Sequence, residues 1–173
     1  MKIIFLHGLE STPETSSSVK LIIEEFGSVN VHVPHYFPKE TTFLSIIQHL
    51  TSLITHYTET MGEDVMLVGI SLGGFWALKM TEFTKVKKVI LINPAIFKSC
   101  ERYGTMIDTP SDVMGAMLLN MDDDVVDNEQ NFEVYRDKFS VTRFATGGHR
   151  ATNKEELLPV IRKAVNTLSY WSP

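Results

Sequence analysis

Six short apolar runs punctuate the chain, at 3–6, 29–33, 65–68, 89–92, 116–119 and 141–145. Each has the length of a buried strand, and each ends at or beside turn-formers: His7-Gly8, Pro34, Gly69, Asn93-Pro94, a run of acids, and Gly147-Gly148. Between them the spacing changes from runs to a helical period. Val19, Ile22, Ile23 and Phe26 share one face of a helix predicted over 14–26. Phe43, Ile46, Ile47, Leu50, Leu53, Ile54 and Tyr57 do the same over 43–57. Further helices are predicted over 72–83, 128–138 and 155–168. The stretch 97–112, with Gly104, Pro110 and mixed polarity, shows no regular pattern, and the polar stretch 10–18 reads as a loop.

Strands alternating with helices predict right-handed βαβ units. The expected fold is a compact α/β arrangement, a six-stranded, mainly parallel sheet with helices on both faces. The 173 residues suit a single domain over 1–173, and no linker, repeat or low-complexity tract divides them. Hydrophobic residues at 43% and charged residues at 21% are the proportions of an ordinary globular protein. A net charge of -5 gives no basic footprint for nucleic acid. No run of apolar residues is long enough to span a membrane, and the first apolar run is too short for a signal-peptide core. The single cysteine, Cys100, allows no intrachain disulfide and reads as an incidental thiol. A cytoplasmic setting is the expectation, and oligomeric state is not indicated.

The chemistry concentrates after the third run, where Gly69-Ile70-Ser71-Leu72-Gly73-Gly74 stands between a strand and a helix. This is G-x-S-x-G in the context of a nucleophile elbow. A strand that reverses sharply into a helix needs small residues two before and two after the serine, and Gly74 lets the new helix approach the sheet. The hydroxyl of Ser71 then stands at the carboxyl edge of the sheet beside a helix N-terminus, where backbone N–H groups can stabilise an oxyanion. Those donors are expected to be Leu72, which follows the serine, and Leu9, in the loop after the first strand. After the fifth strand come Asp122, Asp123 and Asp124. Most carboxylates of that turn are expected to cap the next helix, and one of them to orient a histidine. After the sixth strand, Gly147-Gly148 precedes His149 and can project its imidazole over the sheet edge. The order Ser, Asp, His is that of the α/β-hydrolases. His7 is expected to close a turn, and His32, His35, His49 and His56 to be surface or structural residues.

The chain resembles the YqiA/YcfP-like family of small bacterial α/β-hydrolase esterases. The resemblance rests on Leu6-His7-Gly8-Leu9-Glu10-Ser11, on the elbow continued through Phe75-Trp76-Ala77, and on Ile92-Asn93-Pro94-Ala95. It extends through Met106-Ile107-Asp108-Thr109-Pro110, the acidic turn 122–127, and Gly147-Gly148-His149. It implies a compact α/β-hydrolase fold with little or no lid, Ser71 as nucleophile, His149 as base and Asp123 as the acid. The expected function is a serine esterase that cleaves small or short-chain acyl esters or thioesters through an acyl-enzyme. It would need no cofactor and no metal. Phe75, Trp76 and Phe97 are expected to line the substrate site, with the rest of the stretch to Met106, and Tyr36 and Phe37 as further candidates. The competing expectation is a catalytically silent binding or regulatory protein on the same scaffold.

Overall fold

The computed structural model describes residues 1–9, 11–36 and 41–171. All six expected strands form: β1 (Lys2–Leu6), β2 (Val31–His32), β3 (Val65–Ile70), β4 (Lys88–Ile92), β5 (Met114–Asn120) and β6 (Ser140–Phe144). They make one sheet in the order β2-β1-β3-β4-β5-β6, and every pairing is parallel. Strand alternation divides the interior into two layers. Ile4, Leu6, Leu67, Leu91 and Leu119 point to one face and pack against α2 (Phe43–Thr55), α3 (Leu72–Met80) and α5 (Asn128–Tyr135). Ile3, Phe5, Val68, Ile90 and Leu118 point to the other, against α1 (Ser17–Phe26) and α6 (Lys154–Ser169).

Strand order reverses between β1 and β3. β1 is followed by β2 on one side and, after a crossover, by β3 on the other. Right-handed crossovers in opposite directions place α1 and α2 on opposite faces, and the loops leaving β1 and β3 diverge to open a crevice.

Several boundaries differ from the sequence pattern. α1 begins at Ser17, three residues later than the periodicity suggests, because the Ser16 hydroxyl accepts the Val19 N–H at 3.3 Å and starts the helix there. β2 is only two residues long, as befits an edge strand paired on one side. β3 continues through Gly69 to Ile70, paired with Leu91 and Ile92 of β4, although Gly69 reads locally as a turn. α2 is followed by a π turn over His56–Thr60. The stretch after β4 holds a helix with no regular sequence pattern, α4 (Ile96–Tyr103), which ends at Gly104 in the left-handed conformation. The start of the expected polar loop holds to Thr15, apart from Glu10, which lies outside the described residues.

Candidate active site

β3 leads directly into the elbow. Ser71 has φ 55° and ψ -122°, a conformation that costs a side-chain-bearing residue about 1–3 kcal/mol. The surroundings hold it there. The Ser71 N–H donates to the Ile92 carbonyl at 3.0 Å, and the Ser71 carbonyl accepts from Ala95 N–H and Gly74 N–H, each at 2.9 Å. The glycines are required by proximity. A Cβ on Gly69 would sit 2.2 Å from the Gly73 carbonyl oxygen, and one on Gly73 would sit 1.9 Å from the Leu6 oxygen of β1. At Gly74 a Cβ would meet Pro94 at 2.7 Å, so the close helix–sheet approach expected there is observed.

Three loops then bring three side chains together. His149 Nε2 lies 2.9 Å from Ser71 Oγ, and His149 Nδ1 lies 2.9 and 3.1 Å from the two Asp123 oxygens. The Asp123 side chain is 0% exposed and that of His149 is 19% exposed, so solvent reaches the imidazole and not the carboxylate. Asp123 Oδ1 also accepts the Val125 and Val126 N–H groups, both at 2.8 Å, which fixes the carboxylate plane. The other acids of the turn have different tasks. Asp122 accepts the N–H groups of Gly148 at 2.8 Å and Gly147 at 3.2 Å, tying the acid turn to the histidine loop. Asp127 caps α5 by accepting from Gln130 N–H at 2.9 Å, and Asp124 is exposed. The expectation that most of these carboxylates cap the helix is corrected to one, Asp127.

An asparagine network underneath the site had no counterpart in the sequence analysis. Asn93, at φ 41°, donates from Nδ2 to the carbonyls of Gly148 (3.1 Å) and His149 (3.3 Å). Its Oδ1 accepts from Asn120 N–H (2.8 Å) and Asn128 Nδ2 (3.0 Å). Asn120 Nδ2 donates to the same Gly148 carbonyl at 3.0 Å, and Asn153 Nδ2 donates to Asn120 Oδ1 at 3.0 Å. Asn131 Nδ2 donates to the Pro94 carbonyl at 2.9 Å. The ends of β4 and β5, helix α5 and the histidine loop are thus joined by side-chain amides. One signal was available: Asn128, Asn131 and Tyr135 recur at helical spacing on the inward face of α5, where apolar residues are the rule. Asn93→Ala leaves the buried Asn120 N–H and the His149 carbonyl short of a partner. The expected destabilisation is about 2–4 kcal/mol, read from urea unfolding, together with a lower affinity for covalent serine probes. An unfolding free energy within experimental error of the parent protein would remove Asn93 from this role.

Ser71 and His149 open onto a groove of about 1320 Å³ whose lining includes Gly8, Leu9, Leu72, Ala95 and Ser99. Leu72 is the first residue of α3, so its N–H has no acceptor within the helix. Leu9 lies in the β1 loop, where a Cβ on neighbouring Gly8 would stand 3.6 Å from Ser71 Cβ. Phe75 and Trp76, expected to line the site, are 0% exposed and do not line this groove. They pack with Phe43 and Tyr103, at centroid distances of 5.0–5.7 Å. The physical reason is that α3 is buried on every side, so its large side chains enter the core. Phe97 is half-buried and likewise packs on the core rather than on the groove. Tyr36 is buried, stacks on His7 at 4.6 Å and donates its hydroxyl to the His7 carbonyl at 2.6 Å. Phe37 lies outside the described residues. His7 is buried away from Ser71's hydrogen bonds, and burial lowers its pKa, keeping the imidazole neutral. His32 is bonded to Tyr57, His35 pairs with Glu14, and His49 and His56 are exposed. Burial raises the Cys100 thiol pKa, which disfavours a thiolate.

The profile of an uncharacterised protein family, UPF0227, matches residues 2–112, from β1 through the elbow and past α4. The chain belongs to UPF0227. This is the group to which the YqiA/YcfP-like resemblance pointed. A UPF0227 protein of Pectobacterium carotovorum subsp. carotovorum is 30% identical over 115 residues, which cover 64% of this chain and 59% of that relative. The match therefore spans less than two thirds of the relative's length. Solved structures share the fold of this UPF0227 chain at low identity. Est1E from Butyrivibrio proteoclasticus has a TM-score of 0.73 at 12% identity, covering 93% of this chain and 85% of its own. MGS-MChE2, an α/β hydrolase enzyme from the metagenome of Mar Chica lagoon sediments, has a TM-score of 0.69 at 19% identity, covering 94% and 89%. An alpha-beta serine hydrolase homologue from Coxiella burnetii has a TM-score of 0.66 at 13% identity, covering 92% and 82%. The fold is that of the α/β-hydrolase superfamily. Among the described residues no helix is long and apolar enough to cross a membrane.

Proposed function

We propose that this UPF0227 protein is a serine hydrolase that cleaves small or short-chain acyl esters, or thioesters, by way of an acyl-enzyme. The observation that carries this reading is the hydrogen-bonded chain Ser71–His149–Asp123, with 2.9 Å at each link. Ser71 Oγ attacks the carbonyl carbon while His149 Nε2 takes the hydroxyl proton. Asp123 holds the Nδ1–H tautomer and stabilises the imidazolium. The carbonyl oxygen becomes an oxyanion, received by the N–H groups of Leu9 and Leu72, each worth about 3 kcal/mol in acyl transfer. As the tetrahedral centre collapses, the bond to the alcohol or thiol breaks and His149 gives that leaving group its proton. Water then attacks the acyl-serine with His149 again as base, releasing the acid and restoring Ser71. A cytoplasmic location goes with this proposal, supported by the lone cysteine.

A fluorophosphonate probe tests the reading. The folded protein is expected to label at one site, mapped by peptide mass to Ser71, and to turn over para-nitrophenyl acetate. Comparing oxygen-ester with thioester substrates then assigns the leaving atom. Folded protein that neither labels nor hydrolyses any ester would favour a binding role for the scaffold.

A further inference from the structure

The protein is acidic overall, with a net charge of -5, yet Lys98, Arg102 and Arg150 all line the groove that Ser71 and His149 open onto. The arginines of the chain fall into two groups. Arg136, Arg143 and Arg162 each hold a glutamate, at 3.3, 2.6 and 2.5 Å. Arg102 and Arg150 hold no carboxylate among the described residues. Lys98 and Arg102 stand one turn apart on α4, on the same face, and Lys98 reaches across to the Val125 carbonyl of the acid turn. Two acids also line the groove. Asp122 and Asp124 are both exposed; Asp122 is tied down by two backbone N–H groups, and neither is paired with Lys98, Arg102 or Arg150 among the described residues.

A second observation points the same way. Ser99 is 3% exposed and lines the groove, and its hydroxyl has no hydrogen-bond partner among the described residues. Ser169 on α6, by contrast, bonds back to the Val165 carbonyl at 2.6 Å. The Ser99 hydroxyl is not sealed from solvent; it is open to the groove, where it is free to donate to a ligand oxygen. Ser99 lies three residues before Arg102 and four after Ala95, whose N–H holds the Ser71 carbonyl, so the hydroxyl stands on the turn of α4 that abuts the elbow.

We infer that the substrate carries a carboxylate away from its scissile carbonyl, held by the Arg102 guanidinium and the Ser99 hydroxyl on α4, with Arg150 closing on it from the histidine loop. The inference rests on the hydrolase reading above and names its substrate class: an anionic ester, not a long apolar acyl chain. A guanidinium matches a carboxylate with two parallel N–H donors, and the bond is charge-assisted.

Two matched substrate pairs test it. The first sets mono-para-nitrophenyl adipate against para-nitrophenyl hexanoate, with the anion on the acyl side. The second sets para-acetoxybenzoate against para-acetoxybenzamide, with the anion on the alcohol side. The quantity read is the ratio of kcat/KM within each pair, so that a general loss of activity cancels. The parent protein is expected to prefer the anion by about tenfold in at least one pair, as one charge-assisted contact allows. Arg102→Gln and Ser99→Ala are each expected to lower that ratio, and raised ionic strength to erode it. Lys85→Gln, at an exposed lysine paired with Glu59 elsewhere on the surface, is expected to keep it. Neutral esters cleaved as well as or better than their anionic partners, or a ratio that Arg102→Gln leaves in place, would overturn the inference while leaving the hydrolase reading intact. Calorimetric titration with adipate reads the same contact without turnover. If no ester is cleaved, adipate binding that Arg102→Gln abolishes supports the anion site alone, and absence of binding overturns it.

Discussion

Replacing Ser71 by alanine is expected to lower kcat for para-nitrophenyl acetate by at least about 10⁴-fold and to abolish fluorophosphonate labelling. The size follows from the geometry. His149 Nε2 has the Ser71 hydroxyl at 2.9 Å, and among the described residues no second hydroxyl takes that place in its hydrogen bonding. Without Oγ the acyl group has no nucleophile to receive it, and residual rate comes only from water attacking a carbonyl bound near the oxyanion donors. The substitution is a clean test because the elbow is held by backbone groups, the Ser71 N–H on Ile92 and the Ser71 carbonyl on Ala95 and Gly74. The variant is therefore expected to keep its far-ultraviolet spectrum and its unfolding midpoint. A folded Ser71→Ala protein that retains turnover within tenfold of the parent would place the chemistry elsewhere.

The fold was legible because its strands are short runs of β-branched and aliphatic residues closed by turn-formers, a local signal. Where the signal was local but misleading, the sheet overrode it. Gly69 looks like the end of a strand, yet pairing with Leu91 carries β3 on to Ile70. α4 escaped notice because its outer face, Lys98, Glu101 and Arg102, is polar and its inner face offers only Ile96 and Ser99 as buried anchors. The elbow was legible for a different reason. Its glycines answer to backbone approaches within a few residues, and the serine between them is framed by a motif. Substrate-lining residues were not legible, since an apolar helix looks the same whether its aromatics face a groove or the core. α3 is enclosed by the sheet, α2 and α4, so Phe75 and Trp76 went inward. The asparagine network was invisible for want of proximity along the chain. Asn93 bonds to residues 120, 128, 148 and 149, and only the parallel stacking of β4 and β5 brings those positions to one edge.

The three adjacent acids allow the sharpest discrimination. Asp123→Asn is expected to reduce kcat by about 10³–10⁴-fold, while Asp122→Asn and Asp124→Asn each cost less than about tenfold. Asp123 can only accept in its position. One oxygen receives Val125 N–H, Val126 N–H and His149 Nδ1, and the other receives His149 Nδ1 and, at 3.5 Å, Asn128 Nδ2. An asparagine there must keep its carbonyl oxygen on the Val125 and Val126 N–H groups, which turns its NH₂ toward His149 Nδ1. The imidazole then carries its proton on Nε2, where it cannot accept the one from Ser71, and the imidazolium formed on attack has lost its counter-charge. Asp122 does something different. It closes the Gly147-Gly148 turn through two N–H groups, and an asparagine oxygen keeps at least one of them. Its loss loosens the histidine loop without changing the tautomer, so raised pH is expected to recover little in Asp122→Asn. In Asp123→Asn, raised pH would favour direct ionisation of the nucleophile and recover part of the rate. Steady-state kinetics across the pH range separates the two variants, and equal, small losses at all three aspartates would dissolve the assignment of Asp123.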